Sequence, residues 1–191
     1  MAIAIDYSQK YSYADYLNWS DDERWEIISG HPYNMSPAPS RRHQYISGVL
    51  FSAFFDFLKG RSCQVYAAPF DVRLSEDYSD EHLVENVVQP DLSVFCDKSK
   101  LDDKGAIGAP DLVVEILSPS TASKDMKTKL LLYQKFGVKE YWLVDPEKNT
   151  VERFNLDRQG KYNPGMVFQE NKVKSELFAD FQIPLDELFA D

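Results

Sequence analysis

Residues 89–146 include QPDLSVFC (89–96), APDLVVEILSPSTASKDMKTKLLLYQKFG (109–137) and VKEYWLVDP (138–146). Each segment holds a short apolar run that is rich in β-branched or aromatic residues and bounded by Pro, Gly or Asp, which is typical of a buried strand. Between the second and third runs, Ser118-Pro119-Ser120 is a helix-start signal. Apolar residues then recur at helical spacing up to Phe136, with Tyr133 in the apolar stripe, and Gly137 follows as a helix stop. The stretch therefore predicts two strands, one helix and a further strand, in that order.

Two of these strands carry an acidic residue where a hydrophobic one would pack better. The alternation of DLVVEIL places Glu115 in the middle of its strand, on the face that it shares with Asp111 and Val113. Asp91 opens the preceding strand. A buried carboxylate is costly unless it is paired, hydrogen-bonded or bound to a metal, so we expect a partner for both acids.

Asp91 and Glu115 are candidate metal ligands. Consecutive strands are usually neighbours and lie roughly 4.8 Å apart, so two inward carboxylates at similar levels can share one divalent cation. Oxygen ligands without a His or Cys cluster favour Mg²⁺ or Mn²⁺ over zinc. The natural substrate of such a site is a phosphate ester, because the cation neutralises developing charge and activates a bound water.

The composition limits the domain organisation and the mode of binding. A chain of 191 residues, 43% of them hydrophobic, suffices for one well-packed domain and is short for two, so we expect a single domain over residues 1–191. The net charge of −10 disfavours a protein that holds nucleic acid mainly by long-range attraction. It leaves a metal-dependent enzyme open, because a bound cation can neutralise a local site.

The cysteine content and the apolar runs indicate a soluble protein of the cytoplasm. Cys63 and Cys96 lie in or beside strand-like runs without C-x-x-C spacing, which favours buried free thiols over a disulfide or a zinc site. The N-terminus lacks the basic and apolar regions of a signal peptide. No run approaches the roughly 20 apolar residues that span a bilayer.

The flanking sequence completes a mixed layer fold. ERWEIISGHPYNMSP (23–37) predicts an N-terminal hairpin with Gly30 in its turn, and SRRHQYISGVLFSAFFDFLK (40–59) predicts a largely buried helix that Gly60 ends. Residues 63–77 predict one long or bent strand that Pro69 interrupts, and the segment after residue 166 predicts a β tail. We therefore expect an α/β (α+β) fold with a central mixed sheet flanked by helices.

The motifs resemble those of a known nuclease superfamily. Pro90-Asp91 followed by Glu115 in a strand is similar to the PD-(D/E)XK signature, whose core has the same order of helix, three strands, helix and strand. ERWEIISGHPYNMSP, SRRHQY, QPDLSVF, APDLVVEILSPST and KDMKTKLLLYQKFGVKEYWLVDP more closely resemble the bacterial Uma-two family of restriction-endonuclease-like proteins, over roughly residues 13–185. The resemblance implies a restriction-endonuclease-like core at about residues 40–146 and a Mg²⁺-dependent endonuclease.

The chain departs from the superfamily signature at one catalytic position. The signature has a lysine two residues after the glutamate, where this chain has Leu117. In the family that it resembles, the helix after the acidic strand carries a lysine that could substitute, and the matching residue is Lys129. Lys129 would orient the attacking water or hold the scissile phosphate. The alternative is an i,i+4 pair with Asp125 on a solvated helix face.

Two further residues are candidates for the catalytic site. Glu26 matches the R-x-E pattern of the family together with Arg24, and could bind metal or water; the alternative is an exposed glutamate of a hairpin. His43, in the first turn of its helix, could contact phosphate or act as a base, although a histidine there is more often simply polar. Three other acids could belong to the site but could instead be turn residues: Asp71, Asp111 and Asp145.

The sequence thus predicts a metal-dependent phosphodiester hydrolase, most simply a DNA endonuclease. Its substrate would approach along local basic residues, namely Arg41, Arg42, Lys124 and Lys127. Double-strand cutting usually needs two active sites, which is consistent with a homodimer. The net charge and Leu117 also fit a catalytically degenerate binding module, and a hydrolase of small nucleotides is a third alternative.

Overall fold

The computed structural model describes residues 5–19, 23–35, 38–118 and 125–190. The helices are α1 (Tyr13–Tyr16), α2 (Arg41–Leu58), α3 (Asp125–Phe136) and α4 (Leu185–Leu188), with 3₁₀ turns at Glu81–Leu83 and Lys98–Lys100. The strands are β1 (Trp25–Ile28), β2 (His31–Asn34), β3 (Gln64–Ala67), β4 (Val72–Arg73), β5 (Val87–Val88), β6 (Leu92–Phe95), β7 (Leu101–Asp102), β8 (Gly105–Ile107), β9 (Leu112–Ile116), β10 (Glu140–Asp145), β11 (Thr150–Asn155), β12 (Met166–Phe168), β13 (Lys172–Lys174) and β14 (Gln182–Pro184).

Most strands belong to two six-stranded sheets. The central sheet has the order β12-β11-β10-β9-β6-β3, in which β9 and β10 are parallel and the other neighbours are antiparallel. The second sheet has the order β2-β1-β5-β4-β8-β7 and contains the predicted N-terminal hairpin. Near the C-terminus, β13 and β14 form a hairpin of their own.

Helices α2 and α3 cover opposite faces of the central sheet. In β9, Leu112, Val114 and Ile116 join the apolar cluster that contains the buried residues of α2, whereas Val113 joins the cluster that contains Tyr133 of α3. The alternation expected for DLVVEIL is therefore correct. The mixed sheet flanked by helices confirms the predicted fold class.

Helix α2 begins where the sequence predicts. The side chain of Ser40 accepts a hydrogen bond from the backbone N–H of His43, which caps the helix. The buried residues recur every four positions and face the central sheet: Ile46, Leu50, Phe54 and Leu58. Tyr45 and Phe55 are exposed on the other side, so the expectation of a largely buried helix is wrong and burial is confined to one stripe.

Two expectations about residues 63–96 are also wrong. The predicted long or bent strand is two strands, β3 in the central sheet and β4 in the second sheet, although the break between them includes Pro69, as predicted. Cys63 and Cys96 are joined in a disulfide and are not free thiols. The register explains the pairing: Gln64 lies opposite Phe95, so the next residues outward on β3 and β6 face each other.

The other elements of the predicted core lie where expected. β10 and β11 form a hairpin of six residue pairs, in which Asp145 faces Thr150. The predicted helix-start signal of α3 is Ser118-Pro119-Ser120, and its last two residues lie outside the described residues. Within the part of the chain that the structure describes, no helix is long and apolar enough to cross a membrane.

Candidate active site

The pairing of β6 with β9 places the two predicted metal ligands side by side. Leu92 lies opposite Val114, and the next pair along this antiparallel register is Asp91 and Glu115. Asp91 is held there, because its Oδ2 accepts a hydrogen bond of 2.7 Å from the backbone N–H of Ile116. The two acids therefore meet at the end of neighbouring strands, as the order of the strands predicts.

Lys129 of α3 lies between two carboxylates. Its Nζ is 2.9 Å from Oε1 of Glu26 and 3.0 Å from Oε1 of Glu115. The lysine side chain is only 12% exposed, and that of Glu26 only 8%. The alternatives of a lysine on a solvated helix face and of an exposed hairpin glutamate are therefore wrong.

Glu26 reaches the site from the second sheet. β1 carries it, and its Oε1 also accepts a hydrogen bond of 2.9 Å from the backbone N–H of Gln89. Gln89 is two residues before Asp91, so the same short segment contacts Glu26 and supplies the first acid of the pair. The site thus joins the two sheets and α3.

His43 contacts Asp91 from the N-terminal turn of α2. Its Nε2 lies 3.3 Å from Oδ2 of Asp91, and its side chain is 12% exposed. The buried Nδ1 has no hydrogen-bond partner among the described residues. The structure therefore brings together all five predicted site residues: Glu26, His43, Asp91, Glu115 and Lys129.

Tyr133 is a site residue that the sequence analysis missed. It lies one helical turn after Lys129 on α3, and its hydroxyl donates a hydrogen bond of 2.7 Å to Oε1 of Glu115. The sequence suggested a core residue because tyrosine fits the apolar stripe of the helix. Its i,i+4 spacing from Lys129 is the signal that could have placed it beside Glu115.

The cluster has more carboxylates than cations, and this imbalance governs protonation. Burial raises the pKa of Glu115 to about 7; Lys129 opposes the shift, and the charges of Asp91 and Glu26 add to it. Burial lowers the pKa of Lys129, but Glu115 and Glu26 outweigh that effect and keep the ammonium charged. For His43, burial likewise lowers the pKa, and the hydrogen bond and charge of Asp91 more than compensate.

This imbalance predicts how stability depends on pH without metal. The pKa of Glu115 is raised from an ordinary 4.5 to about 7, so its contribution to stability is complete below 4.5 and is lost as the pH rises through 7. In EDTA, we expect the free energy of unfolding between about pH 5 and pH 8 to fall more steeply in the wild type than in Glu115→Gln. Urea unfolding at intervals of pH measures both curves. Parallel curves would show that Glu115 is ionised throughout.

The donor set fits a hard divalent cation. Both described contacts of Glu115 are made by Oε1, and both described contacts of Asp91 are made by Oδ2. The contacts described above therefore use only one oxygen of each acid. Among the described residues, no group of three or more His, Cys, Asp and Glu side chains is arranged to hold a metal ion. Mg²⁺ commonly binds through one or two carboxylates and keeps several waters, which suits a pair of acids.

The remaining candidate acids have structural partners. Asp111 accepts hydrogen bonds from Nζ of Lys139 at 2.6 Å and from the backbone N–H of Cys96 at 2.7 Å. Asp145 accepts from the backbone N–H groups of the turn that follows it. Asp71 accepts from the side chain of Gln89 at 2.8 Å. These acids stabilise turns and strand ends.

The predicted basic approach to the site is only partly formed. Arg42 turns to the β10–β11 turn, where it donates hydrogen bonds to the carbonyl of Pro146 and to Oδ1 of Asn149. Arg41 and Lys127 are exposed. Lys124 lies outside the described residues.

The mixed sheet, its two covering helices and the acid pair at the strand ends define a restriction-endonuclease-like protein. The chain belongs to the Uma2 (Uma-two) family, whose model is described as "Putative restriction endonuclease" and matches residues 13–186.

Two other proteins are similar to this chain. The fold matches the crystal structure of a "putative nuclease belonging to DUF820" from Anabaena variabilis with a TM-score of 0.75 and 22% sequence identity, over 94% of this chain and 98% of that one. An uncharacterized protein, slr1290 of Synechocystis sp., is 29% identical over 156 residues, which is 80% of this chain and 78% of the relative.

Proposed function

We propose that this protein is a metal-dependent phosphodiester hydrolase that cleaves DNA. Its membership of the Uma2 family supports the nuclease class. The observation that carries the proposal is the convergence of Asp91, Glu115 and Lys129 from two strands and a helix at one buried place. Two acids and a charged lysine suit phosphodiester hydrolysis, because the reaction needs charge stabilised on the phosphate and a water activated.

Asp91 and Glu115 would hold one Mg²⁺ or Mn²⁺. When bound, the cation supplies charge neutralisation on the phosphate and lowers the pKa of a water. Ionised Glu115 is needed for this binding, so the cation competes with the proton that the raised pKa favours at neutral pH.

The protein's own groups orient these acids and the substrate. The hydroxyl of Tyr133 and the ammonium of Lys129 fix Oε1 of Glu115, while His43 and the backbone of Ile116 fix Oδ2 of Asp91. Lys129 provides a compact positive charge that can hold a phosphoryl oxygen or orient the attacking water.

The acidic surface requires that DNA be held by local contacts. The net charge of −10 repels the phosphate backbone at long range, so binding would depend on groups close to the site and on the cation. A homodimer would place two copies of the site on the two strands of a duplex, and we therefore include it in the proposal.

Titration calorimetry and plasmid cleavage with the same samples test the proposal. We expect the wild type to bind Mg²⁺ or Mn²⁺ and to cut supercoiled plasmid DNA, and Asp91→Asn/Glu115→Gln to lose both, with a drop in cleavage of about 10³-fold or more. Asp103→Asn removes an exposed acid from the turn between β7 and β8, and serves as the matched control that should cut normally.

Each other outcome contradicts a specific part of the proposal. Cleavage that survives in the double variant would arise from a contaminant. Metal binding without plasmid cleavage, together with hydrolysis of a small phosphodiester such as bis-p-nitrophenyl phosphate, would exclude DNA as the substrate. A wild type that neither binds metal nor cuts would be a binding module that retains the fold.

A further inference from the structure

The route by which Lys129 enters the site creates a positioning problem. A lysine two residues after the glutamate would be carried on the same strand, and that position is Leu117 here. Lys129 instead comes from α3, which is a separate element, and its ammonium stands at the end of a flexible four-carbon side chain. A cation that must sit within hydrogen-bond distance of a reacting group therefore needs an anchor outside its own backbone.

Glu26 has the contacts of such an anchor. Its Oε1 accepts a hydrogen bond of 2.9 Å from Nζ of Lys129 and another of 2.9 Å from the backbone N–H of Gln89. The carboxylate is 8% exposed, so its interaction with the ammonium is little screened by solvent. The ammonium is thus held by Glu26 as well as by Glu115.

Glu26 is itself fixed by Gln89, whose side chain makes further hydrogen bonds. The side-chain carbonyl of Gln89 accepts two hydrogen bonds from the guanidinium of Arg24, at 3.0 and 2.6 Å. Its amide donates to Oδ1 of Asp71 at 2.8 Å and to the hydroxyl of Tyr16 at 3.1 Å. Arg24 and Glu26, two residues apart in sequence, therefore both contact the residue that precedes Pro90-Asp91.

We propose that Glu26 is a positioning residue: it anchors the ammonium of Lys129 beside Glu115 and does not bind the metal. In the E-x-K signature, the strand that carries the glutamate also positions the lysine. In this chain, Glu26 of the R-x-E pattern takes over that positioning role. The proposal rests on the proposed function only in that Lys129 acts in catalysis. The anchoring itself is a property of the free protein.

The position of Lys129 argues against metal ligation by Glu26. Its ammonium is in contact with both Glu26 and Glu115, so a second cation that Glu26 shared with Glu115 would meet its positive charge. Asp91 and Glu115, which lie opposite each other on neighbouring strands, are the better pair for a cation.

Lysine-selective ¹⁵N NMR of the metal-free protein tests the anchoring without any activity. The wild type should show a slowly exchanging ammonium signal that disappears in Lys129→Ala. The signal should be lost or broadened in Glu26→Gln, which keeps the size and the acceptor oxygen of the side chain. Glu85→Gln is the matched control, because it removes a carboxylate from an exposed pair with Lys10, and it should leave the signal intact. A protected signal in Glu26→Gln would overturn the proposal even if the protein cuts no DNA.

Plasmid cleavage with Mg²⁺ distinguishes an anchor from a metal ligand. We expect Glu26→Gln to lower the cleavage rate at saturating Mg²⁺ about 10- to 100-fold, the effect of a misplaced catalytic group, and to leave the Mg²⁺ concentration for half-maximal rate unchanged. In Lys129→Ala, the same change should have no further effect on the residual rate. A change in the Mg²⁺ concentration for half-maximal rate would indicate that Glu26 binds the metal. If the effects of Glu26→Gln and Lys129→Ala on the cleavage rate multiplied, Glu26 would act independently of Lys129. Either result would overturn the proposal. Failure of the wild type to cut would instead count against the proposed function.

Discussion

Lys129→Met is expected to destabilise the protein by about 3–5 kcal/mol, because it leaves buried carboxylates without their cation. Met preserves most of the length and apolar volume of the side chain, so the loss is mainly electrostatic. Glu26 and Glu115 would then face each other across the vacated position of the ammonium. Cleavage should fall by about 10²- to 10⁴-fold in the same variant. Urea unfolding and plasmid cleavage measure the two losses.

A triple variant separates the two roles of the lysine. Lys129→Met/Glu26→Gln/Glu115→Gln removes the charges together, and we expect its free energy of unfolding to return to within about 1–2 kcal/mol of the wild type. It should remain inactive. Lys135→Met, on the same helix, removes a lysine that is 60% exposed and should change stability by less than about 1 kcal/mol. A triple variant as unstable as the single one would assign the loss to packing.

The elements around the site could be predicted because the patterns that indicate them lie within short stretches of the sequence. The alternation of DLVVEIL assigned the faces of β9, and the order of consecutive strands brought Asp91 next to Glu115. Lys129 and Glu26 were reached through the resemblance to a family. The unfavourable burial of Glu115 in a strand was visible in the sequence alone, because a carboxylate in a buried strand needs a partner.

The features that the sequence did not predict depend on contacts between distant residues. Cys63 and Cys96 are 33 residues apart, and their pairing follows from the register of β3 with β6. Gln89 contacts Glu26 across 63 positions, and nothing in its local sequence indicates that contact. Tyr133 was assigned to the core because an aromatic residue in an apolar stripe usually packs, whereas its hydroxyl reaches Glu115.

Glu140 is a further residue whose contacts include residues that are distant in the sequence. Its replacement is the second change for which we expect a large effect. Its side chain is fully buried and accepts four hydrogen bonds, from Nε1 of Trp142, from Nδ2 of Asn155 and from the backbone N–H groups of Glu176 and Leu177. Glu140→Ala would leave these donors without an acceptor and open a cavity. We expect a loss of about 3–5 kcal/mol in the free energy of unfolding, measured by urea denaturation.

The geometry also predicts where the structure would loosen. Two of the four donors belong to the segment that leads into β14 and α4, whose residues Phe181, Ile183 and Leu188 pack in the cluster of α2. Hydrogen exchange should therefore accelerate at the amides of Glu176 and Leu177 and in α4 more than in the strands of the second sheet, whose residues do not belong to that cluster. Glu147→Ala, an exposed acid in the β10–β11 turn, should change stability by no more than about 0.5 kcal/mol. Acceleration that extended uniformly through the second sheet would mean that Glu140 supports the whole core, since the C-terminal segment packs in the cluster of α2 and the central sheet.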